Sequence, residues 1–563
     1  MKNIFRYPLI FVALILAATS CKKAAPDQAK HIPKDAMFVL DLNWKSLSDK
    51  ASKGNFNWDS LFKAAATDPG DDSDLAKGKR ELENFIHSGV DTTSNVFFFT
   101  TSGGSIMSGQ STTGAVIMNM KDPSKFESYV KSHDKAPEIK KGDGFSYALL
   151  SDNLYVGWNK DVVILSGTQQ MKKYSDSDNA SSNSSPTTQQ NLSTLFNQKE
   201  DASIASVPEF RELMEEQGDM LFWTNSSSVL SSVPLLGLTK FADLFKGSYG
   251  AGTVNFENGK AVANYKSYSG KDLADILKKY AGPTVDMSLV DKYPYPVEGF
   301  MAFSFNPQII TEIIKYGGVE STVDQYFQKV GFTMDDVTKA FKGDFAIVFS
   351  DITTGDKEYE MNGMKFHSNR PSVKLVFTAT IGDKAAYDKI VSKLAEQGIM
   401  EMKNGQYVPQ GMGNEFAFNM DGKHLTIATD NEVMQQYLSG HGNAGVPNDV
   451  ANEAKGKAAA FYVDINKILQ GLSTGTEEKT MNAAKATFKN AIATGTSFNG
   501  KYLESNFELN TVNNNENSLV SLIKFFAAAS QKIEKEQEKL RNGMMDLDSA
   551  TTPPLPDEPQ DEK

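Results

Sequence analysis

"IPKDAMFVLDLNWKSL" (residues 32–47) and "YPVEGFMAFSFNPQII" (residues 295–310) say nearly the same thing twice. Pro33 matches Pro296, Asp35 matches Glu298 and Asn43 matches Asn306, an offset of 296 − 33 = 263. Further pairs follow in the same order. "GAVIMNMKDPSKFESYV" from Gly114 answers "KLVFTATIGDKAAYDKIV" from Lys374, with Asp122 opposite Asp383 and Phe126 opposite Tyr387. "LYVGWNKDVVILSGTQQMKKY" answers "FAFNMDGKHLTIATDNEVMQQY", with Met171 opposite Met434 and Tyr174 opposite Tyr437. "GDMLFWTNSSSVL" answers "GKAAAFYVDINKIL", and "VNFENGKAVANYKS" answers "TSFNGKYLESNFEL", placing Asn258-Gly259 opposite Asn499-Gly500. Matches kept in one order at near-constant spacing predict two homologous halves.

Period and turn chemistry give each half its elements. Residues 37–42 read as an apolar strand, and the following "NWKSLSDKA" as a helix with Asn43 as N-cap. Residues 96–100 and 115–118 are rich in strand formers, and "DPSKFESYVKSH" starts a helix with Asp122 as cap and Pro123 in its first turn. Asp421-Gly422 and the two Asn-Gly pairs sit between alternating runs, which predicts type I′ hairpins with positive φ at both central residues. The fold class expected is α+β: two tandem homologous halves, each a mainly antiparallel sheet with helices packed on one face. The first half spans 32–283, with a Ser- and Asn-rich mobile loop at 174–203 that has too few apolar residues to offset its ordering entropy. The second spans 284–530 and closes with a helix whose core stripe is Leu519, Leu522, Ile523 and Phe526. Residues 531–563 read as a charged helix end and a disordered, acidic, proline-rich tail.

The only cysteine, Cys21, lies behind a charged start (Lys2, Arg6) and a short apolar run closed by Ala17, Ala18, Thr19 and Ser20. That pattern reads as a secretory signal over residues 1–20, because the run is shorter than the roughly 20 residues of a spanning helix. Ala18, Thr19, Ser20 and Cys21 resemble the lipobox of bacterial lipoproteins, with Ala at 18 where Leu is commoner. Cys21 is therefore the expected lipidation site, and 21–31 the tether. Several acyl chains hold a protein firmly on a bilayer, each buried CH₂ contributing about 0.8 kcal/mol.

With 58 Lys and Arg against 70 Asp and Glu, the formal charge is −12, which argues against a nucleic-acid partner. Catalytic patterns fail on context. "GLSTG" (471–475) follows a helical stretch, where a nucleophile elbow at Ser473 would need a strand. "GHGNAG" (440–445) follows a helix and leads into Pro447, so no helix N-terminus receives a phosphate. The six histidines, His31, His87, His133, His367, His424 and His441, show no metal-ligand spacing. The pairing of His424 with Asp421 reads as turn chemistry, and the acid run at 68–74 lacks the spacing of a calcium loop. No catalytic, cofactor-binding or metal residue and no cofactor is assigned.

With the duplicated strand motif, Cys21 and the Asn-Gly hairpins together, the chain resembles a Bacteroidota lipoprotein family of unknown function, the domain-of-unknown-function 4836 type, over about residues 32–526. The resemblance implies architecture and envelope location, and carries no catalytic residues. In such lipoproteins an acidic run after the cysteine resembles a surface-export signal. Lys22 and Lys23 stand here instead, which implies an outer-membrane anchor facing the periplasm. Asp548-Ser549-Ala550 and Asp91-Thr92-Thr93 are similar to the short O-glycosylation triplets of that group. The expected role is a non-catalytic binding or structural module, held on the membrane through its lipid, with an envelope protein, peptide or glycan as partner. Two rivals stand beside it. A carbohydrate or ester hydrolase would keep polar groups in one half that the other has lost at matched positions. A hydrophobic-ligand carrier would show a cavity lined by Met and Phe.

Overall fold

The structure, a computed structural model, describes residues 25–53, 83–105, 109–132, 137–151, 153–170, 185–232, 240–361, 364–403, 405–411, 416–442, 444–472 and 478–529. Its first ten strands are β1 (Phe38–Leu42), β2 (Val96–Ser105), β3 (Gly109–Asn119), β4 (Lys140–Lys141), β5 (Ser146–Ser151), β6 (Leu154–Trp158), β7 (Val162–Gln170), β8 (Met220–Asn225), β9 (Tyr249–Glu257) and β10 (Lys260–Tyr268). The next ten are β11 (Gly299–Ser304), β12 (Phe341–Met361), β13 (Met364–Ile381), β14 (Met400–Lys403), β15 (Gln406–Pro409), β16 (Ala417–Met420), β17 (His424–Ala428), β18 (Ala459–Val463), β19 (Phe488–Gly495) and β20 (Tyr502–Thr511). β14 and β15 form a separate hairpin, and the other strands make one 18-stranded sheet. Following its pairings from edge to edge gives β4-β5-β6-β7-β3-β2-β1-β8-β9-β10-β20-β19-β18-β11-β12-β13-β17-β16. Every one of these pairings is antiparallel, so the fold is α+β with helices on an antiparallel sheet.

The connectivity of the first set recurs in the second. β1 lies between β2 and β8, as β11 lies between β12 and β18. β3 joins β7 as β13 joins β17. The two sets meet where β10 pairs with β20. Tracing equivalent rungs through Met220↔Val254 and Val254↔Ala263 in one set, and Ala459↔Gly495 and Gly495↔Ser505 in the other, makes Ala263 the counterpart of Ser505. One residue on, Asn264 and Asn506 are counterparts, and they are also opposite each other in the ladder. The Asn506 amide donates to Asn264 Oδ1 at 2.8 Å. A local two-fold relation therefore passes between these two side chains.

Local chemistry explains several of these elements. Asp122 Oδ1 accepts from the Lys125 N–H and starts the helix Pro123–Lys131, and Asp383 Oδ1 does the same for Ala385 and Ala386 ahead of Lys384–Glu396. The matched Phe126 and Tyr387 are both buried. Asn43 Oδ1 accepts from Ser46 N and Asn306 Oδ1 from Gln308 N, so the matched asparagines keep a capping role. The strands before them are shifted, however. Leu42 pairs with Met220, and Phe303 with Ala459, which sets Leu42 against Phe303 and makes the strand offset 303 − 42 = 261 rather than 263. A two-residue slip preserves which face each side chain takes, so alternation alone could not reveal it.

The type I′ expectation is overturned. Gly259, Gly422 and Gly500 have positive φ, but Asn258, Asp421 and Asn499 do not. Asp421 Oδ1 instead accepts from the N–H groups of Lys423 and His424, and Asn499 Oδ1 from those of Lys501 and Tyr502. A side chain that closes the turn in this way removes the need for a second left-handed residue.

The larger core of the first half lies on the face of Val39, Phe97, Phe99, Ile117, Ile164 and Trp223. Its cover includes a segment expected to be a mobile loop. Residues 174–184 lie outside the described residues, but Ser185–Asn197 is a helix and Leu192 and Leu195 are buried. Three apolar residues, Leu192, Leu195 and Phe196, fall on one helical stripe, and spacing outweighs their small number. The expected tether also ends early, since Gln28 and Ala29 are buried within the 3₁₀ helix Asp27–His31. Gln170 ends β7, and Met434 and Tyr437 are buried in the helix Asn431–Leu438. Met171 and Tyr174 themselves lie outside the described residues.

Helical cover extends to the second face. Phe126 and Val130 of Pro123–Lys131 pack with Met118 and Val163, whose strands present Ile117 and Ile164 to the opposite side. In the second half Tyr387 and Val391 likewise pack with Ile381, away from the core of Phe300, Val348 and Val376. The helix over residues 518–529 docks through Val520 and Ala527, leaving Phe526 of the expected stripe exposed. Its rotation is set at the start, where Ser518 Oγ donates to the Lys260 carbonyl.

Gly343 sits where the β12–β13 register breaks, with φ +99°, and an added Cβ would lie 1.9 Å from the Phe305 carbonyl oxygen. Gly343→Ala is expected to cost about 3 kcal/mol or more, from a left-handed backbone and a backbone clash together. Urea midpoints of the two proteins check it, and equal midpoints would refute it.

Candidate functional site

Cys21 lies outside the described residues, as do Ser473, the acid run 68–74 and the triplet at Asp548. Gly440–Gly445 connects the helices Asn431–Leu438 and Asn448–Ala454, so no strand feeds it. His424 Nδ1 stands 3.5 Å from Asp421 Oδ2 within the hairpin, and Asp91 holds Thr93 in a turn of its own. Among the described residues no group of three His, Cys, Asp or Glu could hold a metal ion. None of these motifs builds a reacting site among the described residues.

A polar pocket of about 420 Å³ instead opens beside β1. Along β1, side chains alternate, and Asp41 takes the same inward face as Val39. Its neighbours across the ladder are Phe97 and Leu221. Asp41 is 2 % exposed. Its Oδ2 accepts from Asn95 Nδ2 at 2.9 Å, while Oδ1 has no partner. Burial disfavours the charged carboxylate and pushes the Asp41 pKa up to about 7, against the opposing pull of the Asn95 hydrogen bond.

The second acid, Asp219, precedes β8 and is 1 % exposed. It stays in place through three donors: Ser46 Oγ at 2.6 Å, the Phe256 N–H at 2.6 Å and the Lys50 ammonium. Ser46 and Lys50 are four residues apart in the helix Trp44–Lys53, so one helical face brings both to the same carboxylate. Asn43 begins that helix directly after β1, which ties the strand carrying Asp41 to the helix that neutralises Asp219.

In the second set the counterparts of the two acids are uncharged, while the counterpart of Asn95 is the buried Asp344, which accepts from Ser304 Oγ. The Asn43 N–H donates to the Asp219 carbonyl as the Ser304 N–H donates to that of Ala458. With the rungs Leu42↔Met220 and Phe303↔Ala459, Asp41 corresponds to Ala302 and Asp219 to Ala458. One set carries two buried acids where the other carries two alanines. That asymmetry is what the hydrolase reading required. The geometry gives that reading only one carboxyl with a free oxygen, since Asp219 is held by three donors while Asp41 Oδ1 is unpaired. The arrangement can bind: it offers one unsatisfied carboxyl oxygen within a lining of amides. A second cavity, of about 500 Å³, lies by β16 and includes Phe416, Phe418 and Met434 alongside Lys403, Gln406 and Asp430. Met and Phe meet in this cavity, and its lining is mixed rather than greasy.

Asp41 and Asp219 were not legible as a pair. A signal did exist for Asp41: in "FVLDL" it occupies an inward position of an alternating strand, and a buried acid is more informative than any buried leucine.

Residues 29–519 match a family profile described as "Domain of unknown function (DUF4836)". No curated protein matches the chain. Among solved structures, crystal form I of TP0453 is 11% identical, with a TM-score of 0.24 over 44% of this chain and 81% of that one. Crystal form III of TP0453 is 10% identical, with a TM-score of 0.25 over 46% and 90%.

Proposed function

This chain belongs to the DUF4836 family, and from that premise we propose that it is a lipid-anchored envelope protein whose first half binds a ligand in the Asp41 pocket. The observation that carries the binding role is the pocket itself, retained where the second half has Ala302 and Ala458. Anchoring is supported by the signal-like start and by Cys21 behind it. No helix among the described residues is long and apolar enough to cross a membrane. The outer membrane, facing the periplasm, is the proposed location, and an envelope protein, peptide or glycan the proposed partner. The matching connectivity of the two strand sets supports an origin by duplication, after which only one copy kept acids at the positions of Asp41 and Asp219.

Cys21→Ala is expected to move the protein from the membrane fraction to the soluble fraction, cutting membrane association by about tenfold or more as the acyl chains are lost. Fractionation of whole cells with mass spectrometry of the mature amino terminus tests it. An unmodified thiol, or a variant that stays with the membrane, overturns the anchoring. Crosslinked capture from intact envelopes tests the partner.

A further inference from the structure

We propose that the Asp41 pocket takes a small, neutral, polyhydroxylated ligand of the monosaccharide class, its hydroxyls bridging the Asp41 carboxyl and the carboxamides of the lining. This deepens the binding role proposed above and rests on the pocket being where that binding occurs. Three observations lead to it.

The first is the unmet valence. Asp41 Oδ1 has no protein partner although the residue is 2 % exposed. A buried acceptor without a partner is costly, and a ligand donor that meets it restores the lost bond.

Second comes the charge balance. The lining contains four ionisable side chains, Asp41, Lys50, Glu216 and Asp219. Lys50 is paired with Asp219, and Glu216 accepts from Lys266 at 2.8 Å. Burial favours the neutral form of Asp41. An ionic ligand entering this cavity would meet no unpaired counter-charge and would lose its hydration without return.

The third is the mixture of donors and acceptors. The side-chain amides of Gln217 and Asn255 make no hydrogen bond to the protein among the described residues. Asn43 uses only its Oδ1, and Asn95 only its Nδ2. A carboxamide presents a donor and an acceptor side by side, and a hydroxyl is both at once, so vicinal hydroxyls can satisfy neighbouring amides without a charge. At about 420 Å³ the cavity falls in the range of small-molecule sites, roughly 300–1,000 Å³. No aromatic ring is among its described lining residues, so the ligand is held by hydrogen bonds rather than by stacking.

The test is saturation-transfer NMR on the full-length chain in detergent. The probes are glucose, N-acetylglucosamine and myo-inositol, with arginine, glucuronate and inorganic phosphate as charged counterparts. The expected result is saturable binding of at least one neutral polyol, weakened about tenfold by Asp41→Ala and by Asn255→Ala, the loss of roughly one buried hydrogen bond each. Asn255 lies outside both cores, so its variant keeps the test usable if Asp41→Ala fails to fold. Saturable binding of a charged probe alone, polyol binding that neither variant weakens, or no saturable binding at all would each overturn the proposal. A protein that stays lipid-anchored and captures an envelope partner, yet binds no polyol, removes the ligand class and leaves the wider role standing.

Discussion

Asp41→Asn is expected to abolish a fall in stability with rising pH that the wild-type protein shows between about pH 4 and pH 8, worth up to about 4 kcal/mol. The folded carboxyl titrates near 7, against 3.8 for the free side chain. Over that interval the native state binds the proton more tightly than the unfolded chain. The contribution is therefore fully present below 3.8 and is lost as the pH rises through about 7. Asparagine keeps the shape, and its own oxygen can accept from Asn95, but it cannot ionise. The neighbouring charged groups, Lys50, Asp219, Glu216 and Lys266, are paired among themselves and are common to both proteins, so the difference between the two stability curves isolates Asp41. Chemical denaturation across the range measures it. Parallel curves would mean that water reaches the carboxylate and that Asp41 is charged in the native state.

Lys50→Met should destabilise the fold by about 3–5 kcal/mol, the range for removing one partner from a buried ion pair. The methionine replaces much of the lysine stem, so the loss is mainly the cation. Asp219, 1 % exposed, would keep Ser46 Oγ and the Phe256 N–H but face the interior with its charge unbalanced. Adding Asp219→Asn to Lys50→Met should recover much of the loss, because the amide carries no charge to desolvate. A double-mutant cycle on unfolding free energies reads the coupling directly. Additive losses would show that Asp219 draws its stability from the two hydrogen bonds alone.

How much of this could be read along the chain depended on the range of each interaction. The caps at Asp122 and Asp383 were legible because a capping side chain bonds N–H groups two or three residues on. Phe126 and Tyr387 were matched through the repeated blocks, and both prove buried. The two-residue slip of β11 against β1 was not legible, since a slip of two leaves every side chain on its former face. The helix at Ser185–Asn197 was obscured by composition: its Ser, Thr, Asn and Gln read as loop, while Leu192, Leu195 and Phe196 were enough to seat it.

Local chemistry along the chain determined the α+β class, the order of the recurring blocks and the helix starts, because each depends on residues a few positions apart. Only the tertiary structure joined β10 to β20, set Asn264 against Asn506, and closed Asp41, Asp219, Lys50 and Asn95 around one cavity. Asp41 lies on β1 and Asp219 just before the neighbouring β8, far apart in the chain, and burial and partnership there follow from a ladder whose rungs no local pattern specifies. Ala302 and Ala458 are visible as letters, but that they stand at the rungs matching Asp41 and Asp219 appears only once the two ladders are laid over each other.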